Sequence, residues 1–323
     1  MNAPLPGWPH EAPPWHAGER AMQERAGSAE ALAEVGWRVV RAEMPQQHRD
    51  FFAQLPFIVL GAADAQGQPW ATLLAGEVGF VTSPAVDRLQ LRALPGAGDP
   101  LHGALHEGQP VGLLGIQPHT RRRNRANGAI RSIGDSGFTV QVQQSFGNCP
   151  QYIQTREFQR VVVDGAAAET GTALQGRAAE IVRAADTFFI ATQALTGEVS
   201  GGADVSHRGG KPGFVRVDDG GARLSWPDFA GNRFFNTLGN LMLDPRAGLV
   251  FADFASGDLL HVAGRAEVEW SGGELQAFEG AQRLVRLRID SWQLRRGAFP
   301  LRGGLREYSP TLERTGTWPV VAD

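Results

Sequence analysis

The chain has almost no cysteine, no long apolar run and little net charge. Its 323 residues include one cysteine, Cys149, which excludes an internal disulfide framework and is typical of a reducing cytosol, so we expect a cytoplasmic protein. No apolar run approaches the roughly 18 residues of a membrane span, and residues 1–16 lack the basic and apolar segments of a signal peptide. A net charge of −3 gives no reason to expect a nucleic acid or a membrane as partner.

Several common binding and catalytic motifs are also missing. The sequence contains neither the GxGxxG of a dinucleotide-binding turn nor the GxxxxGK[ST] of a P-loop. The eight histidines are scattered without HExxH or a Cys/His spacing for zinc, so we predict no metal site. Residues 134–137 read Gly-Asp-Ser-Gly, as in serine proteases, but Phe138 follows and no matching histidine segment precedes them.

The two halves of the sequence resemble each other. Phe57 corresponds to Phe188, and residues 79–81 and 213–215 both read Gly-Phe-Val. A unit this long indicates two similar domains rather than a solenoid, whose periods are about 20–50 residues. One copy can keep a site that the other has lost. The offset, which is the difference in residue number between paired positions, changes only from 131 to 136. The remaining pairs keep the same order: Gly76 with Gly210, Arg88-Leu89 with Arg223-Leu224, Gly98 with Gly231, Leu105 with Leu238, Gly112 with Gly248, and Asn127-Gly128 with Ala263-Gly264.

Each half contains short apolar or alternating segments broken by Gly, Pro and Asp, a pattern typical of strands. One helix is expected inside each half, at residues 101–108 and at about 232–244. Another helix, at about 176–187, leads into the second half. Several short strands with one inserted helix predict an antiparallel barrel in each half.

The segment before the first barrel predicts a different structure. Residues 1–15 are rich in proline and are expected to form an extended arm on the surface. The pattern from Ala17 to about Phe52 is helical, and Ser28 is the predicted N-cap of the second of three helices. We therefore predict a mainly β fold of two tandem β-barrels behind a short helical segment: arm and helices 1–52, first barrel 53–165, second barrel 176–300 and C-terminal tail 301–323.

Residues 204–213 contain a hydroxyl, an imidazole and two cationic side chains close to three glycines, and they lie beside a predicted strand. Glycine lets a ligand approach the backbone closely, and Arg or Lys with Ser supplies charge-assisted hydrogen bonds to phosphate. The candidate binding residues are Ser206, His207, Arg208 and Lys211. The alternative is a glycine-rich hairpin with solvated charges, and the pattern does not decide between the two.

Three asparagines spaced four apart, Asn232, Asn236 and Asn240, would line one face of a predicted helix. Arg233 lies near the start of that helix, where backbone N–H groups and the helix dipole favour an anion. We expect this face to contact a ligand. The alternative is that Asn232 caps the helix and the other two face solvent.

The first half carries a basic segment that the second half lacks. On a strand, Arg121, Arg123 and Arg125 point to one face, either as a phosphate site or as a solvated basic strand. The matching residues 257–264 contain none of these arginines. This divergence suggests that each half contributes a different part of a shared site.

Residues 145–153 contain the only cysteine and one of two tyrosines. Cys149 is a possible nucleophile, but a small buried hydrophobic residue is the simpler interpretation. No histidine can be placed beside it from sequence, so we do not predict a thiol enzyme.

With these segments in view, the chain resembles the pyridoxamine 5'-phosphate oxidase-like, FMN-binding split-barrel superfamily, and within it the bacterial tandem-barrel subgroup described as flavin-nucleotide-binding. The resemblance extends over nearly the whole chain. The motifs that carry it are short, but their order and spacing are specific: His16 to Glu19 with Gln23, residues 55–57, 79–81 and 148–153 in the first half, and residues 204–210, 227–240 and 263–266 in the second.

The resemblance implies that the two barrels are tandem split β-barrels of the FMN-binding type, with flavin bound in a groove between two barrels, across a homodimer or within a tandem pair. It implies FMN as the cofactor, with F420 or FAD as alternatives. It also implies site residues of three kinds: a phosphate site from Ser206, Arg208, Lys211, Asn232 and Arg233, ring contacts from Trp226, Asn236 and Asn240, and closure of the pocket by Asn148, Cys149 and Tyr152.

The resemblance further implies an FMN-dependent oxidoreductase with an unknown small-molecule substrate, because the flavin itself supplies the chemistry. The alternatives are a non-catalytic flavin- or haem-binding module acting as an electron relay, and a structural dimer that has lost its cofactor. Pyridoxamine phosphate oxidation is not expected, since one fold serves many functions. Relatives are sometimes joined to ferredoxin-reductase-like modules, which implies an electron-transfer partner. The catalytic residues are not identified.

Overall fold

The computed structural model describes residues 7–163 and 167–318. Three helices come first, as the sequence predicts: α1 (Ala17–Arg25), α2 (Ala29–Val39) and α3 (Gln46–Ala53). His16 caps α1, because its ring accepts from the Gly18 N–H while the Glu19 carboxylate accepts from the His16 N–H. Ser28 precedes α2 but forms no side-chain cap, and its hydroxyl donates to the Gln23 carbonyl instead.

The proline-rich segment, where the structure describes it, is exposed at residues 9–13 and anchored by a buried tryptophan on either side. Trp8 and Trp15 are buried in a cluster with Leu32, and Trp15 Nε1 donates to the Leu32 carbonyl at 3.2 Å. Residues 1–6 of the predicted arm and residues 319–323 of the predicted tail lie outside the described residues.

Seven strands of the first half form one antiparallel sheet. They are β1 (Phe57–Ala63), β2 (Pro69–Ala75), β3 (Val81–Ala85), β4 (Arg88–Leu91), β5 (Pro110–Gln117), β6 (Arg122–Gly134) and β7 (Gly137–Asn148). Their order across the sheet is β2-β1-β5-β6-β7-β4-β3. The short strands β8 (Thr155–Arg156), β9 (Gln159–Arg160) and β10 (Ala168–Gly171) and the helix α4 (Gly176–Ala184) connect this sheet to the second half.

The second half repeats the arrangement. Its elements are β11 (Thr187–Ala194), β12 (Gly202–Gly209), β13 (Arg216–Asp218), β14 (Arg223–Phe229), α5 (Asn236–Leu243), β15 (Arg246–Asp253), β16 (Asp258–Glu269), α6 (Gly273–Ala277) and β17 (Ala281–Arg295). The order β12-β11-β15-β16-β17-β14-β13 is that of the first sheet, strand for strand, and β10 adds to β17. The prediction of a mainly β fold is confirmed.

The C-terminal segment returns to the first half. Strand β18 (Leu301–Arg302) pairs with β9, and β19 (Leu305–Glu307) pairs with β8. Short 3-10 turns lie at Pro118–Thr120, Asp219–Gly221 and Pro310–Arg314. The segment therefore ties both halves together.

Two helix predictions differ from the structure. Residues 101–108 form turns, because Gly103 and Gly108 have φ of +70° and +81°, which a right-handed helix does not accommodate. Helix α5 begins at Asn236 rather than near residue 232, since Phe235 has a left-handed φ of 64°. None of the helices in the described part of the chain is long and apolar enough to cross a membrane.

Matched glycines explain why the two sheets bend alike. The registers of β6 and β16 both shift at the matched glycine, between Asn127 and Gly128 and between Ala263 and Gly264. A Cβ on Gly128 would lie 2.0 Å from a carbonyl oxygen of the neighbouring strand, and one on Gly264 would lie 2.1 Å from its equivalent. The bulge brings two backbones closer than a side chain permits, so both copies require glycine there.

Strands β1 and β11 are mostly apolar because both of their faces are buried. On β1, Ile58 packs into the core of its own sheet, whereas Phe57 packs into a second cluster that also contains Phe189 of β11. On β11, Phe188 points into its own core in the same way. Successive side chains of a strand point to opposite faces of its sheet. One face of each sheet therefore packs on that sheet's own core, and the opposite face packs against the second sheet.

The contact between the sheets is pseudo-symmetric. A Cβ on Gly112 of β5 would lie 2.8 Å from Asp204 Cα of β12. A Cβ on Gly248 of β15 would lie 2.5 Å from Trp70 Cα of β2. Because Gly112 matches Gly248 and Trp70 matches Asp204, the two halves are related by a pseudo-twofold axis. Two equivalent crevices therefore flank the contact.

Candidate functional site

One of these crevices is an open cleft with an internal volume of about 110 Å³. The first half contributes strand β6 and the segment after β7. The second half contributes β12, β14, residues 229–235 and the start of α5. Residues that are far apart in sequence thus form one surface within a single chain.

Eleven of the fourteen residues that the sequence singled out for cofactor binding line this cleft. They are Arg123, Arg125, Asn148, Cys149, Tyr152, Ser206, His207, Arg208, Asn232, Arg233 and Asn236. The basic strand of the first half and the glycine-rich segment of the second half therefore meet.

Three of the predicted residues lie elsewhere. Trp226 on β14 is 1% exposed and packs edge-to-face on Phe188 in the core of the second sheet. Lys211 donates its Nζ to the Thr315 carbonyl. Asn240 lies one helical turn beyond the cleft and bonds the ring of His16 at 2.8 Å. Strand alternation and the late start of α5 direct these side chains away.

The segment before α5 has an uncommon backbone. Arg233 and Phe235 have φ of 61° and 64°, and Tyr152 on the opposite wall has φ of 64°. A left-handed non-glycine residue costs on the order of 1 kcal/mol or more and concentrates at functional sites. The turn begins with Asn232, whose Oδ1 accepts from the Phe234 N–H at 3.1 Å, so this asparagine is not on the helix.

Helix α5 starts at the cleft without a side-chain cap. Its first residues, Asn236, Thr237 and Leu238, line the cleft. The first N–H groups of a helix lack partners inside the helix, and the dipole places partial positive charge there. This end of the cleft favours an anion.

Arg123 and His207 form a pair whose geometry defines the tautomer of the histidine. Arg123 Nη1 lies 3.0 Å from His207 Nδ1, and since a guanidinium only donates, Nδ1 is the acceptor. Burial, with Arg123 and Arg208 nearby, holds the pKa of His207 well below its usual value, so the ring is neutral. The proton therefore resides on Nε2, which has no hydrogen-bond partner among the described residues.

Arg125 is held in the wall of the cleft. Its guanidinium donates to Ser206 Oγ at 2.5 Å and to Asn236 Oδ1 at 2.7 Å, and it pairs with Asp204 at 2.9 Å. All its neighbours are buried. Arg125 thus joins the two halves, and its charge is already matched by Asp204.

A second ion cluster limits the cleft on the other side. Asp228 accepts from Arg208 at 2.7 Å and from Arg283 at 2.8 Å. Arg283 also lies over the ring of Phe235, 5.0 Å from its centroid. Two guanidinium groups share one carboxylate, so this side of the cleft keeps a net positive charge.

The segment after β7 contributes an aromatic wall. Tyr152 stacks on Phe229 with ring centroids 5.3 Å apart, and its hydroxyl donates to the Ala230 carbonyl at 3.0 Å. Burial, with Asp228 and Cys149 nearby, raises the pKa of Tyr152, so its hydroxyl keeps its proton. A flat apolar surface therefore lies beside the cationic end.

Several buried polar atoms at the cleft lack a partner among the described residues. They are Arg123 Nε, Asn148 Oδ1, His207 Nε2, Arg208 Nε and Thr237 Oγ1. Buried polar groups in proteins are nearly always hydrogen-bonded, so such a cluster points to a missing bound group. Most of these atoms are donors, which fits a ligand rich in acceptors.

Buried polar residues behind the cleft hold its lining side chains in place, and they were not predicted from the sequence. Glu19 of α1 is buried and accepts from Asn236 Nδ2 at 2.6 Å, so it connects the N-terminal motif to the network of Arg125. Asp228 and Arg283 were missed as well, because an ordinary Asp and Arg on strands carry no local signal. His16, which begins the N-terminal motif, caps α1 and is buried.

Burial raises the pKa of Glu19 to about 8, from an ordinary 4.5. The folded protein therefore holds a proton that the unfolded chain releases, and the free energy of unfolding falls as pH rises from about 4.5 to about 8. Glu19→Gln removes this proton exchange. We expect the stability of this variant, relative to the parent protein, to increase steadily across that range.

Denaturant unfolding at several pH values within this window measures the effect. Glu24→Gln is the matched control, since Glu24 is exposed on the same helix. A constant offset between the Glu19→Gln and parent curves at every pH would contradict the prediction.

Comparison with known proteins gives limited matches. No protein-family model matches the chain, and no curated protein matches it. Among solved structures, the chain is similar to HupZ of Group A Streptococcus (10% identity, 37% of this chain and 98% of that chain, TM-score 0.30). It is also similar to a putative pyridoxamine 5'-phosphate oxidase from Lactobacillus delbrueckii (18% identity, 38% and 94%, TM-score 0.31).

A third structure is a FAD-binding protein from Mesorhizobium loti (16% identity, 40% of this chain and 97% of that chain, TM-score 0.26). Each match spans under half of this chain, whereas it covers nearly all of the other protein. The structure neighbours of this chain thus include a putative pyridoxamine phosphate oxidase and a flavin-binding protein, and at these TM-scores the similarities carry no argument about its function.

Proposed function

We propose that the chain binds FMN in the cleft between its two sheets and acts as an FMN-dependent oxidoreductase of the pyridoxamine 5'-phosphate oxidase-like, tandem split-barrel type. One observation carries this proposal: unpartnered buried donors and an uncapped helix end lie beside an aromatic wall in the same cleft. A molecule with a phosphate at one end and a flat ring at the other matches both features.

The phosphate end would be held by the start of α5, by Arg123 and by Arg233. His207 Nε2–H and the Thr237 hydroxyl are further donors with no partner among the described residues. Burial beside Arg125 and Arg208 lowers the pKa of Arg123 to about 10, and it remains charged at neutral pH. A phosphate dianion would relieve the repulsion among these guanidinium groups.

The ring end would lie against Tyr152 and Phe229. The stacked pair presents an apolar face, and the Tyr152 hydroxyl is fixed by the Ala230 carbonyl, so the wall is rigid. Asn148 and Cys149 line the same side. Bound FMN would supply hydride acceptance and donation, while the side chains bind it, orient it and exclude water.

FMN is preferred over FAD and F420 because the donors form one cluster, suited to one terminal phosphate. Residues of one chain suffice to build the cleft. The homodimer, the ferredoxin-reductase-like electron-transfer partner and the small-molecule substrate remain predictions.

The first experiment is to purify the protein, record its visible spectrum and identify any released cofactor by mass. We expect a yellow protein with one FMN per chain, because the cleft offers one set of donors. A colourless protein that also refuses added FMN would overturn the proposal. Recovery of FAD or F420 would retain the cleft as a flavin site and reject FMN.

A second function, a non-catalytic electron relay, is favoured by a separate observation. The histidine and the tyrosine of the cleft are both held neutral, His207 by a lowered pKa and Tyr152 by a raised one. Neither is suited to exchanging protons near neutral pH. Multiple turnovers with NAD(P)H and an acceptor would support the enzyme. One-electron exchange with a partner and no turnover would support the relay.

A further inference from the structure

The second crevice, related to the open cleft by the pseudo-twofold axis, is filled by the chain itself. It lies where β2, β16 and the end of β17 meet the turns at residues 95–105. The offset of 133 that matches Gly98 to Gly231 also matches Asp99 to Asn232. Likewise, Thr72 matches Ser206 through the offset of 134, and His261 matches Arg125 through the offset of 136.

The matched Asp99 and Asn232 begin the same turn. Asp99 Oδ1 accepts from the Leu101 N–H at 3.0 Å, and Asn232 Oδ1 accepts from the Phe234 N–H at 3.1 Å. Leu101 and Phe234 are themselves matched by the offset of 133. The two side chains therefore have the same orientation relative to their backbones and differ only in the second terminal atom.

That second atom has opposite chemistry in the two halves. Asp99 Oδ2 accepts from the Thr72 hydroxyl and from Arg295 Nη1 at 3.1 Å, and it lies 3.7 Å from His261 Nε2. Asp99 is 6% exposed. Asn232 instead offers an amide N–H at the exposed edge of the open cleft, and this amide has no partner among the described residues.

The groups around Asp99 form an anion site. Arg295 supplies the positive charge, since burial lowers the pKa of His261 to about 4 and keeps its ring neutral. Arg295 Nε and His261 Nδ1 are buried and have no partner among the described residues. Arg295 also donates to the Ala97 carbonyl at 3.3 Å, so the turn is anchored over the crevice.

We propose that the second crevice is a site for a small oxyanion, such as phosphate or a carboxylate, and that the Asp99 carboxylate occupies it in place of a ligand. The chain then has one free anion site instead of two. The choice between carboxylate at position 99 and amide at position 232 decides which copy stays open. This inference does not depend on whether the open cleft binds FMN.

Two substitutions test the proposal, with FMN-free protein as the sample, inorganic phosphate as the probe and calorimetric titration as the measurement. Asp99→Ala removes the carboxylate and leaves its space open beside Arg295, and we expect a second phosphate per chain with an affinity within about tenfold of the first. Asn232→Asp places a carboxylate at the open cleft, and we expect phosphate binding there to weaken at least about tenfold.

The control variant is Asp186→Ala. Asp186 pairs with Arg156 at 2.6 Å and is as buried as Asp99, but neither member of the pair lines a crevice. It should lose stability without gaining a phosphate. Added phosphate should raise the Tm of Asp99→Ala more than that of this control, and this comparison remains possible if Asp99→Ala is less stable than the parent.

Folded Asp99→Ala with no added phosphate site and no extra stabilisation by phosphate would overturn the proposal. Unchanged phosphate affinity in Asn232→Asp would overturn the role given to position 232. If the parent protein binds phosphate but no FMN, the proposed function fails while the second crevice is still tested.

Discussion

Replacing Arg123 with methionine is expected to weaken FMN binding by roughly ten- to hundredfold, because a charge-assisted hydrogen bond contributes about 1.5–3 kcal/mol. The guanidinium is buried among Arg125, Cys149 and Arg208, and its Nε has no partner among the described residues. The substitution also removes the donor of His207 Nδ1, so the ring loses its fixed orientation. Titration of apoprotein with FMN, followed by flavin fluorescence, measures the loss.

The matched control for this variant is Arg131→Met. Arg131 is on the same strand and is exposed, with its Nη1 bonded to Gln141 at 3.3 Å. It removes the same charge without touching the cleft, so FMN affinity should stay within about twofold of the parent value, since an exposed pair contributes about 0–1 kcal/mol. Equal affinities in the two folded variants would reject the assignment of the phosphate end.

The second large effect concerns the contact between the sheets. A Cβ at position 248 would lie 2.0 Å from the Pro69 carbonyl oxygen, and both groups belong to packed backbones. Gly248→Ala therefore forces β15 away from β2. We expect a loss of at least about 3 kcal/mol in the free energy of unfolding, the upper end of ordinary overpacking, because backbone cannot rotate aside as a side chain does.

Thermal unfolding measures this loss, and a fall of at least about 6 °C in Tm corresponds to it at about 2–4 °C per kcal/mol. Gly134→Ala is the control, because a Cβ there meets nothing within 4 Å. A Tm of Gly248→Ala close to that of the control would show that the sheets do not pack as described. Gly112→Ala should destabilise similarly and also disturb Asp204 at the open cleft.

The repeat was the part of the fold that sequence could reveal. Matched glycines such as Gly128 and Gly264 are required by close backbone approach, which no other residue allows, so they persist while other positions diverge. They keep the strand order the same in both halves. The prediction of a helix at residues 101–108 was wrong because Gly103 and Gly108 have positive φ. The spacing of apolar residues does not indicate the sign of φ.

The candidate site was only partly predictable. Sequence marked the residue types that favour an anion, such as Arg123 and His207, but it placed Trp226 at the ligand when strand alternation points it into the core. It also missed Glu19 and Asp228. Their roles depend on partners more than fifty residues away, Asn236 and Arg283, and no local pattern encodes such a pair.

The sequence by itself determined that the chain has two similar mainly β halves, that glycines are matched between them, and that basic residues diverged between them. Only the tertiary structure decided that one crevice is open while the other is filled. The physical reason is the pseudo-twofold contact, which brings β6 against β12 and β16 against β2. The matched turns then place the amide of Asn232 in one crevice and the carboxylate of Asp99 in the other. The carboxylate of Asp99 neutralises the charge of Arg295 in its own crevice, whereas the amide of Asn232 neutralises no cation and leaves the charges of the open cleft available to an external anion.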